Sequence, residues 1–134
     1  MQFKEMGGPL SLQVFLESTG NAASTGNLPT FQAPNACQVT AVALVPSAAI
    51  TADGTNFATY TLTRHTAGAS ATTVATRAWS ATNSVAVTAE LMTLSGTAAN
   101  LLLAVGDTLS IVKTVGGSGL VIPACLLVVT YKLV

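Results

Sequence analysis

The chain is poor in charge. Only 7% of its 134 residues are Asp, Glu, Lys or Arg, against roughly 25% in an ordinary soluble domain, and the two signs cancel to a formal net charge of zero. No basic field exists to attract phosphate backbones or acidic lipid, so neither nucleic acid nor a membrane is an expected partner. Acid–base chemistry is equally starved: one His and five carboxylates are scattered along the sequence. That distribution argues against an enzyme, a small-molecule substrate, a cofactor or a metal centre. Aromatics make up 5%, few for stacking on sugars. Long apolar runs are missing too. The most apolar stretch, from Leu120 to Val129, is broken by Pro123 and is far shorter than the roughly 20 residues a bilayer helix needs. Near the N-terminus, Gly7, Gly8 and Pro9 stand where a secretory signal would carry its apolar core, so synthesis in the cytoplasm is expected.

What remains is a chain that is 50% hydrophobic and dressed in Thr, Ser and Asn. So uncharged a surface is expected to be covered by other subunits, because near-zero net charge favours association. At this length the chain holds one core. Residues 1–9 read as an arm with no periodicity and 10–134 as one domain. Leu10, Leu12, Val14 and Leu16 alternate with Ser11, Gln13 and Glu17, interrupted by Phe15; this is a half-buried strand. After the polar loop 18–27, Phe31 lies in an edge piece between Pro29 and Pro34.

Further strands are expected from Cys37 to Val45, apolar on both faces and hence central, and from Phe57 to Arg64, where Thr alternates with Ala58, Tyr60 and Leu62. Others follow at Thr72–Ser80, Val85–Thr93, Leu101–Val105, Thr108–Val115 and Cys125–Val134, with the GGSG run 116–119 as a hairpin loop. Many short strands separated by turn residues make an all-β sandwich or barrel. Cys37 and Cys125 each open a strand. If those strands are antiparallel neighbours, the two thiols lie at opposite ends of the ladder, too far apart for a disulfide.

Individual residues offer little chemistry. His65, at a strand end, lacks a recognisable triad and reads as a surface residue at a loop mouth. Asp53 and Asp107 each adjoin a Gly and read as turn residues accepting from backbone amides. Arg77 and Trp79 are two apart on one strand, so they share a face. Two readings of that pair stand: a subunit contact, since both residue types are enriched in interface hot spots, or a core Trp with an Arg stem over its rim.

Three segments carry a likeness: VPSAAITADGTNFATYTLTRH (Val45 to His65), TTVATRAWS (Thr72 to Ser80) and VGDTLSIVKTVGGSGLVIPACLLVVTYK (Val105 to Lys132). Through them the chain resembles the small capsid decoration, or cement, proteins of tailed bacteriophages, over roughly residues 10 to 132. The resemblance implies a jelly-roll-like antiparallel β-sandwich. It also implies a homotrimer bound to the major capsid protein on the outer surface of the virion head, tying neighbouring subunits together. On that view Phe3 and Met6 of the arm, and Arg77 and Trp79, are the candidate capsid or subunit contacts. The alternative is a receptor- or glycan-binding β-sandwich domain of a phage tail fibre or spike.

Overall fold

Alternation of apolar and hydroxyl side chains sets the strands. The computed structural model describes residues 8–20, 25–67, 69 and 71–134. Among them run β1 (Leu10–Leu16), β2 (Leu28–Gln32), β3 (Cys37–Pro46), β4 (Phe57–His65), β5 (Thr72–Ala78), β6 (Glu90–Leu91), β7 (Thr93–Leu94), β8 (Leu102–Leu103), β9 (Thr108–Gly116) and β10 (Cys125–Leu133). In β4, Ala58, Tyr60 and Leu62 are buried while Thr59 and Thr61 are half-exposed. β2 carries Pro29 and pairs on one side only, with β9, as a residue without an N–H requires of an edge strand.

The first sheet has the order β1-β10-β3-β6, with β8 also on β3; the second runs β2-β9-β4-β5-β7. Consecutive strands switch sheets except at the β4–β5 hairpin, and the first strand lies beside the last. This is the wiring of a jelly roll, in which two Greek keys fold over one core. Between the layers Val42, Leu44, Leu62, Val74, Leu109, Leu127 and Val129 are fully buried. β3 and β10 are antiparallel, Cys37 facing Leu133 and Cys125 facing Pro46. The two cysteines therefore sit at opposite ends of the ladder, both free and buried.

The sequence reading fails between residues 85 and 93. The expected strand is replaced by an isolated bridge from Ser84 to Ile50 and a turn at 86–87, and only then by the two-residue strands β6 and β7. Val85 and Val87 are exposed, so their alternation has nothing to bury. Val87 takes φ 52°, a left-handed conformation disfavoured for a β-branched residue, and its N–H donates to the Pro46 carbonyl at 2.8 Å. The chain then crosses between sheets: β6 pairs with β3 and β7 with β5, while Met92 between them is buried in the core. Likewise Leu101–Val105 contributes only the two residues of β8, after a 3-10 turn at Ala98–Leu101, and β5 stops at Ala78 rather than Ser80. Gly8 and Pro9 are exposed and outside the strands; Phe3 and Met6 lie outside the described residues. In the expected hairpin loop, Gly117 has φ +58°, and a Cβ there would collide with the Thr55 carbonyl, so this position requires glycine.

Candidate interaction surface

Strand register decides what the first sheet shows to its surroundings. Leu12, Val14 and Leu16 of β1 point inward with Val129, Leu127 and Cys125 of β10. The intervening residues point outward and line up across the strands. One row is Phe15, Leu126 and Val45; the next is Gln13, Val128, Ala43 and Leu91; a third is Ser11, Thr130 and Ala41. None of these ten side chains is charged; the exposed Lys132, paired with Gln38, lies one row beyond them at the end of the sheet. Phe15 and Leu91, at opposite edges of the sheet, are 67% and 73% exposed. Single exposed apolar residues are ordinary, but a continuous uncharged sheet face is the kind of patch that marks an interaction site.

Two features of the sequence announce this face. Phe15 breaks the polar side of β1, and β3 and β10 are apolar on both sides. In a two-layer sandwich, one of those two sides must face outward.

Arg77 and Trp79 do come together, but within the chain. Trp79 is fully buried, edge-on to Tyr60 with ring centroids 5.4 Å apart, and the Arg77 guanidinium lies 5.3 Å from the indole centroid. The indole N–H donates to Ser84 Oγ at 2.6 Å, which in turn donates to Glu90 at 2.6 Å. Arg77 pairs with Glu90 at 3.2 Å and donates to the carbonyls of Ala78 and Thr82 at 2.8 and 3.1 Å. The pair thus has the geometry of a core Trp whose rim is covered by Arg, and Trp79 itself offers no surface to a partner. Ser84 and Glu90, which complete the cluster, come from the loop and short strand that follow β5 and carry no motif that singles them out.

On the outer face of the second sheet, His65 Nε2 lies 2.7 Å from Ser110 Oγ and 3.1 Å from Thr63 Oγ1. A Ser–His contact is also how an activated nucleophile begins. Here Ser110 is only 2% exposed and its hydroxyl is shared with Thr63 at 2.9 Å, so the cluster bridges β4 and β9. Asp53 accepts from the amides of Thr55 and Asn56 at 2.7 and 2.9 Å. Those backbone bonds hold its carboxyl below the usual range. Asp107 accepts from the Ala104 amide and the Thr66 hydroxyl, each at 2.9 Å. Both aspartates organise turns. Among the described residues no group of three or more His, Cys, Asp and Glu could hold a metal, and no helix is long and apolar enough to cross a membrane.

A cleft of about 620 Å³ opens on the side of the sandwich where β1 and β2 form the sheet edges, between Leu16, Leu28, Tyr60, Ile111 and Lys113. Lys113 is 1% exposed. It falls on the inward side of β9 with Leu109 and Ile111, and its Nζ donates to Thr19 Oγ1 at 2.9 Å and to the Gly20 carbonyl at 2.5 Å. Burial pushes the pKa of this ammonium down and that of the neighbouring Tyr60 phenol up. Against this geometry, no protein family, curated protein or solved structure matches the chain.

Proposed function

We propose that this protein is a structural virion protein: a capsid decoration, or cement, protein that binds the major capsid protein on the outside of a bacteriophage head and reinforces the shell. The observation that carries the reading is the outer face of the first sheet, uncharged across the rows that run from Phe15 through Leu126 and Val45 to Leu91, with the exposed Lys132 beyond them at the end of β10. A thin shell gains strength from additional buried area bridging its subunits. A largely apolar, uncharged face supplies that area without needing matched charges on the partner, each fully buried apolar side chain contributing roughly 1.5–3 kcal/mol before ordering costs. The jelly-roll wiring and the segments quoted above add support. Three copies per unit, the stoichiometry implied by the resemblance, would engage several such contacts at once and raise avidity through effective concentration.

The test is to add the purified protein to heads that lack it and to locate it by electron microscopy. Decoration of the head shell is expected, changing little between low and high salt, because an apolar contact is indifferent to the Debye length. Phe15→Asp combined with Leu91→Asp should abolish decoration while leaving the unfolding transition close to wild type, since both side chains are exposed. Density on the tail rather than the head, or undiminished decoration by the double variant, would overturn the reading.

A further inference from the structure

We propose that the cleft between β1 and β2 is a binding site for an aliphatic monocarboxylate, with the carboxylate on Lys113 Nζ and the chain against Leu16, Leu28 and Ile111. The argument begins with charge. Lys113 is a buried cation, and the ion pairs among the described residues are Arg64–Asp107 and Arg77–Glu90; neither involves it. A buried charge is costly unless paired, and here the partners are two neutral oxygens, Thr19 Oγ1 and the Gly20 carbonyl. An ammonium has three N–H donors. Among the described residues the third has no acceptor.

The surroundings fix the ligand class. The cleft volume, about 620 Å³, falls within the roughly 300–1,000 Å³ typical of small-ligand sites, which are mainly apolar with a few placed polar groups. Its apolar walls are Phe15, Leu16, Leu28, Tyr60 and Ile111, beside a polar lining of Ser, Thr and Asn side chains, so the part of the ligand that lies against those walls must be apolar. Lys113 is the single cation on the lining, and the exposed Glu17 also borders the cleft. One positive charge answers one negative charge; a phosphate dianion would leave an excess beside Glu17. A carboxylate on a hydrocarbon chain meets each of these conditions. It would form a charge-assisted hydrogen bond to the open donor and cover the apolar walls. The site shares Phe15 with the sheet face proposed for assembly, but Lys113 and Leu28 lie outside that face, so substitutions at these two positions test ligand binding separately from head decoration.

The experiment is calorimetric titration of the full chain at neutral pH with sodium octanoate and, separately, with 1-octanol, which has the same chain without the charge. Octanoate should bind about tenfold more tightly than octanol, the size of a hydrogen bond to a charged group. Lys113→Met should erase that difference. If this variant does not fold, Leu28→Glu, at a half-exposed position on the cleft, serves instead: a second negative charge there should weaken octanoate and leave octanol nearly unchanged. Equal affinity for the two probes, no saturable octanoate binding, or octanoate binding that survives Lys113→Met or Leu28→Glu would each overturn the proposal.

Discussion

The two sides of the sandwich solve the same problem in opposite ways. On each, the two sheets end and the core must be closed off from water, and on each a long cationic side chain lies on the inward side of the second sheet. On the β5 side, Arg77 is matched by the Glu90 carboxylate, an indole face and several carbonyls. There the chain itself crosses from β3 to β5 through β6 and β7 to seal the gap. On the β1–β2 side, Lys113 meets, among the described residues, a hydroxyl and a carbonyl, and a cleft remains. One cation is a structural rivet and the other carries an unspent charge. A buried cation is thus informative only together with what surrounds it.

The largest effect expected from breaking the sealed side is that of Trp79→Ala. It removes the biggest buried side chain together with the donor that orients Ser84, and should cost about 3–5 kcal/mol in urea unfolding. Replacing each cation by methionine sharpens the contrast. Arg77→Met strands Glu90 and should destabilise by about 3 kcal/mol, whereas Lys113→Met removes an unpaired charge and should stay within about 1 kcal/mol of wild type or exceed it. Equal losses in the two variants would erase the distinction between the sides.

A smaller effect comes from raising the pH. Burial, assisted by the charge of Glu90, pushes the Cys125 thiol from 9.0 up to about 11. Between those values the unfolded chain has released the thiol proton and the folded chain still holds it. Stability is therefore fully present below 9.0 and is lost as pH rises toward about 11, by on the order of 2–3 kcal/mol. Cys37 and Tyr60, also raised by burial, act in the same direction, while Lys113, lowered by burial, opposes them. Urea midpoints followed across this range should fall, and fall less in Cys125→Ala.

Much of the fold is legible in the sequence because it depends on local alternation. The Thr-for-apolar rhythm of β4, the central character of β3 and the edge role of Pro29 are written in neighbouring residues. So is the separation of Cys37 from Cys125, given antiparallel pairing. The side walls are not. Val85 and Val87 alternate as a strand would, yet the segment bends, because its partners are single points on two different sheets. Even the inward-facing spacing of Arg77 and Trp79 leaves open whether a partner or the core receives them, and Glu90, thirteen residues beyond Arg77, decides it. Lys113 shares the inward parity of Leu109 and Ile111, a position where a charge is out of place; that was the available signal for the cleft. The outer face was marked by Phe15, which reads in one dimension as a lapse in pattern.

The pairing of Leu10 with Tyr131 and of Leu16 with Cys125 also has a consequence in time. A ribosome releases β1 first among the strands and β10 last, so β1 must wait, unpaired, through the synthesis of everything between them. Closing so long a loop adds little to the equilibrium cost, which grows only with the logarithm of its length, but such non-local topologies fold slowly, in milliseconds to seconds. The outer face led by Phe15 takes shape only when β10 is in place to carry Leu126 and Val128. On the assembly proposed above, a growing or truncated chain therefore lacks the surface by which the finished one would assemble, and the order of synthesis itself would keep incomplete copies from assembling through that face.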